Sequence, residues 1–133
     1  MDVSGKRRLC AGLAAMALLA GLTQARAATE SNFIVKNTAD LVALCSVEPS
    51  QANYLAAIHF CEGFGVGAYQ YYLAQAGQDP GSRYVCLPDP PPTRDSVKTA
   101  FVAWTKANPS SLDDAPVNSL FKYLGQTYPC PAK

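Results

Sequence analysis

Bulky apolar residues recur along this chain with two different spacings, and both are helical. From Arg94 onward Val97, Ala100, Phe101 and Trp104 follow i, i+3, i+4, i+7, which predicts an amphipathic helix with one buried face, capped by Thr93 and ended by Asn108-Pro109. Val117, Leu120, Phe121 and Leu124 repeat the spacing in a last helix. Ser111, Asp113 and Asp114 precede it, suited to its positive end, and Pro116 fits its first turn. A short helix is predicted over Ala39 to Cys45 behind Thr38 as N-cap, after a mostly polar arm at 28–37.

The second spacing is denser. From Gln51 to about Gly77 there is no proline, and Leu55, Ile58, Phe64, Val66, Tyr69 and Leu73 place large groups almost all round a helix. That pattern predicts a central helix surrounded by the others. Gly63, Gly65 and Gly67 weaken it by about 1 kcal/mol each relative to Ala, and a smooth strip for close backbone approach would be their benefit. Gly77 to Pro92 breaks the helical run: Asp79-Pro80-Gly81 is a turn, Cys86 lies in a short extended piece, and Pro88, Pro90, Pro91 and Pro92 predict a stiff extended rod. No alternating strand pattern of useful length occurs. The fold expected is all-α, a small bundle of about four helices stapled by two disulfides.

The staples follow from the leader. Lys6, Arg7 and Arg8 precede an uncharged apolar stretch from Leu9 to Leu22, and Ala25-Arg26-Ala27 offers a small-x-small cleavage pattern. The apolar stretch is shorter than the roughly 20 residues of a membrane span. Residues 1–27 therefore read as a signal peptide, and 28–133 as one exported domain with no stable membrane anchoring. Cys10 stands at the start of the apolar stretch, where lipidation does not occur, and leaves with the leader. Cys45, Cys61, Cys86 and Cys130 remain, an even set bound for an oxidising compartment such as the periplasm. Four cysteines allow three connectivities. Helix rise from Cys61 to Gly77 roughly matches an extended return to Cys86, so reach favours Cys61–Cys86 with Cys45–Cys130.

Charge narrows the partners. Residues 28–133 carry seven basic against nine acidic side chains, a net charge near −2, with no basic block. Nucleic-acid affinity is driven by attraction to phosphate, so nucleic acid is not expected as a partner. His59 with Glu62 one turn on could form an acid–base pair, but no nucleophile stands at a recognisable spacing and a polar strip is the better reading. One histidine and paired cysteines leave zinc without ligands. Gly63-Phe64-Gly65-Val66-Gly67 lacks the strand, the spacing and the lysine of a nucleotide loop. Cys-x-x-Cys is absent. No catalytic residue, metal or cofactor is expected. The aromatic run Tyr69, Tyr71, Tyr72 suits either a core or a recognition surface.

Phe60-Cys61-Glu62-Gly63-Phe64 with Gly67, then Cys86-Leu87-Pro88, the Arg94 to Trp104 helix, Asn108-Pro109 and Tyr128-Pro129-Cys130 form an ordered series. That series resembles the Rap/Tai family of periplasmic immunity proteins associated with type VI secretion. The resemblance implies a helical, disulfide-stabilised protein that binds and inhibits a peptidoglycan amidase effector, in some relatives as a homodimer. Loops on rigid scaffolds commonly carry recognition, which points to the turn from Asp79 to Arg83 and the proline loop from Asp89 to Thr93 as partner contacts. The alternative is an acid-stress chaperone resembling the HdeA group, which loosens as carboxylates protonate.

Overall fold

The computed structural model describes residues 27–132. The signal-peptide reading falls almost wholly outside them. Four α-helices form: α1 (Thr38–Cys45), α2 (Tyr54–Gln78), α3 (Arg94–Ala107) and α4 (Pro116–Thr127). Short 3-10 turns occupy Glu30–Ile34, Pro80–Ser82 and Pro109–Asp113. Among the described residues there is no strand, only one isolated antiparallel bridge between Val85 and Pro129. The all-α expectation stands.

Capping sets the helix starts. The Thr93 hydroxyl accepts from the Ser96 amide at 3.1 Å, as the sequence predicts for α3. At α1 the cap is Asn37, whose side chain accepts from the Asp40 amide. Thr38, expected as that cap, is instead the first helical residue and fully buried. Its hydroxyl proton is shared between Ser119 Oγ at 2.9 Å and the Asp114 carbonyl at 3.0 Å, and Ser119 in turn donates to the Ser111 carbonyl at 3.0 Å. This buried polar chain fixes the start of α1 against α4, because breaking one link would strand a desolvated group.

The core gathers Leu41 and Leu44 of α1, Phe101 of α3, and Leu120, Tyr123 and Leu124 of α4, with Val85 of the connecting segment sealed beneath. Phe101, Trp104 and Tyr123 pack ring on ring. The mostly polar arm at 28–37 is docked on the body. Ala28 is buried, its carbonyl accepts from Asn53 Nδ2 at 2.8 Å, and Asn32 donates to Asp40 at 2.8 Å. The proline segment is not a straight rod, since it bends at Asp89 and Pro90, which are joined by a cis peptide.

Reach misassigned the disulfides. Cys45 pairs with Cys61 and Cys86 with Cys130, so neither Cys61–Cys86 nor Cys45–Cys130 forms. Residues 46–53 fold α2 directly back onto the end of α1, which brings Cys61 beside Cys45. The Cys86–Cys130 link is aligned by backbone: the Cys86 amide donates to the Tyr128 carbonyl at 2.9 Å and the Cys130 amide to the Tyr84 carbonyl at 3.1 Å. Distance along the chain permitted the wrong pairing, but packing chose another.

Candidate recognition surfaces

Helix α2 is not central. Only Ala57, Ile58, Cys61 and Ala76 of its 25 residues are buried. Leu55 is 66% exposed and Tyr71 69%, while Phe60 and Leu73 stand partly in solvent. The aromatic run divides accordingly. Tyr72 turns inward, where its hydroxyl accepts from the Tyr84 and Val85 amides at 2.7 and 2.9 Å, and its ring lies 5.0 Å from that of Phe121. Tyr69 stacks on Tyr72, whereas Tyr71 faces outward. The glycines serve no close approach within the monomer: a Cβ at Gly63, Gly65 or Gly67 would meet nothing within 4 Å.

An apolar groove of about 380 Å³ opens between α2 and α3. Its floor is Leu41, the Cys45–Cys61 disulfide, Phe101 and Leu120; Val66, Tyr69 and Leu73 form one wall, and Leu87 with Pro92 another. Four polar side chains reach it: Glu62, Gln70, Arg94 and Lys98. Lys98 is paired, at 2.6 Å from Asp95 and 4.0 Å from Glu62. Arg94 makes no ion pair among the described residues.

The loop residues singled out from sequence all lie on the surface, and they divide by role. Asp79 accepts from the Gly81 amide and Thr93 from the Ser96 amide, so both side chains cap the elements that follow them. Among the described residues, Arg83 makes one long contact, from Nε to the Val85 carbonyl at 3.4 Å, and Asp89 makes no side-chain hydrogen bond or ion pair. Arg83 and Asp89 are thus the pair left open. His59 and Glu62 are not hydrogen-bonded to each other among the described residues: His59 is exposed and Glu62 lies 4.0 Å from Lys98 Nζ. Among the described residues no group of three or more His, Cys, Asp or Glu side chains could hold a metal ion.

Two tyrosines have altered acidity. Burial, followed by the neighbouring Tyr128, pushes Tyr123 up to about 12, and among the described residues its buried hydroxyl makes no well-formed hydrogen bond, with Tyr128 and Thr127 close by. Burial and then Tyr72 raise Tyr84 above its ordinary value. The exposed face of α2 and the groove beside it were missed in the sequence, because apolar residues on all sides of a helix do not reveal which side is left uncovered.

A family model described as Rap1a immunity proteins matches residues 37–130. The curated proteins give no match, and neither do the solved structures. The matched span runs from the cap of α1 to Cys130, and so takes in all four helices and both disulfides. The chain belongs to the Rap1a immunity protein family.

Proposed function

We propose that this protein is a periplasmic immunity protein that binds and inhibits a peptidoglycan amidase delivered by type VI secretion, acting by binding and not by catalysis. The family match over residues 37–130 carries this reading. Two disulfides support an oxidising compartment, and residues 1–27 would direct export and be removed. The open side chains Arg83 and Asp89, presented on loops beside a rigid cross-linked body, are the proposed first contacts with the effector, by the logic that scaffold-borne loops carry recognition.

The test is co-expression with candidate amidases in the periplasm. Protection from lysis and a co-purifying complex are expected, and Arg83→Glu with Asp89→Lys should weaken both. Absence of any complex, with the immunity protein folded and oxidised, would count against the assignment. A homodimer would show in the elution volume of the purified protein alone.

A further inference from the structure

We propose that the groove between α2 and α3 is a binding site for a soluble single-chain amphiphile, an aliphatic carboxylate whose tail lies on the apolar floor and whose head pairs with Arg94. The site is independent of the effector reading. Its volume of about 380 Å³ is at the small end of the about 300–1,000 Å³ typical of ligand sites. That is room for one short acyl chain and not for the two of a bilayer lipid. A net charge near −2 over residues 28–133 also disfavours docking on an anionic membrane.

Head and tail are matched by one helix face. Arg94, Val97, Lys98 and Phe101 follow i, i+3, i+4, i+7 on α3, so a cation at the helix start adjoins apolar side chains one and two turns deeper. Lys98 is neutralised by Asp95 and Glu62, whereas Arg94 has no carboxylate partner among the described residues. Arg94 is exposed at the groove, so it can take an anionic head without giving up a protein ion pair, while the apolar part of the lining takes the tail. Gly65 lines the same groove with open space where a Cβ would be, so nothing of the protein itself fills that volume.

The test uses the protein with both disulfides intact and a dansyl-labelled undecanoic acid as probe. Its emission should shift to the blue and be reversed by dodecanoate. Lengthening the competitor from octanoate to dodecanoate should tighten binding by about four-fold per methylene until the groove is full, the increment of burying one CH₂. Gly65→Leu should fill the groove and abolish the shift while the melting temperature holds or rises, which separates blockage from unfolding. Arg94→Gln should weaken dodecanoate about five- to ten-fold, the order of a charge-assisted hydrogen bond at an exposed site, and leave dodecanol unchanged. No blue shift with folded protein, a shift that survives Gly65→Leu, or equal weakening of acid and alcohol by Arg94→Gln would overturn the proposal. Co-sedimentation with anionic phospholipid vesicles would overturn the choice of a soluble ligand.

Discussion

Helix α4 hides six of its 12 residues, among them Leu120, Phe121, Tyr123 and Leu124, whereas α2 hides four of its 25. Both are rich in large apolar side chains, yet one is built into the body and the other leans on it. Burial by α4 accounts for the closure of the core. The apolar groups left exposed on α2 contribute little to folding, and their presence points to association, since sizeable exposed apolar patches mark binding surfaces.

The sharpest way to break this contrast is a pair of truncations of one residue type. Leu120→Ala in α4, where the side chain is 5% exposed, should cost about 3 kcal/mol in denaturant unfolding through lost burial and a cavity. Leu55→Ala in α2, 66% exposed, should stay within about 0.5 kcal/mol. Equal costs would mean that α2 is structural after all.

A smaller effect of opposite sign is expected at Tyr123. Its hydroxyl is buried with no well-formed hydrogen bond among the described residues, only Tyr128 and Thr127 close by, so Tyr123→Phe should raise stability by up to about 1 kcal/mol by removing a poorly satisfied group. The same substitution has a pH signature. With the folded value raised to about 12 from 10.0, the unfolded chain ionises first as pH rises. The stability linked to this tyrosine is complete below pH 10.0 and is lost as the pH climbs to about 12. Thermal melts of wild type and Tyr123→Phe should therefore diverge across that alkaline window.

Also small is the effect at the α2 glycines. Gly63→Ala and Gly67→Ala meet open space, so each should stabilise by about 0.5–1 kcal/mol from helix propensity alone. A variant stabilised in this way yet weakened in effector protection would show that a partner uses the bare strip.

Much of this architecture is legible in the sequence, and the failures have a common cause. The spacing 97, 100, 101, 104 and the cap at Thr93 identify α3, and 117, 120, 121, 124 identify α4, because one-sided patterns state their own burial. Helix α2 has no such asymmetry, so its existence was readable and its position was not. The disulfides illustrate the same limit. Reach along the chain is permissive, whereas the pairing follows from how residues 46–53 fold α2 back and how Tyr84 and Tyr128 align the second link, both of which are tertiary facts. The loop candidates were found through their turn residues, but Asp79 and Thr93 are occupied by caps, a use that the same sequence signal equally implies.

The two cross-links differ in when they can form. Cys45 and Cys61 are 16 residues apart in the first half of the chain, while Cys86 must wait for Cys130, 44 residues later. Synthesis runs from the N-terminus, so the first tie can close before Cys130 has been made and the second only after it. A chain interrupted between the two sulfurs of the second link leaves Cys86 an unpaired thiol while Cys45–Cys61 can already be closed.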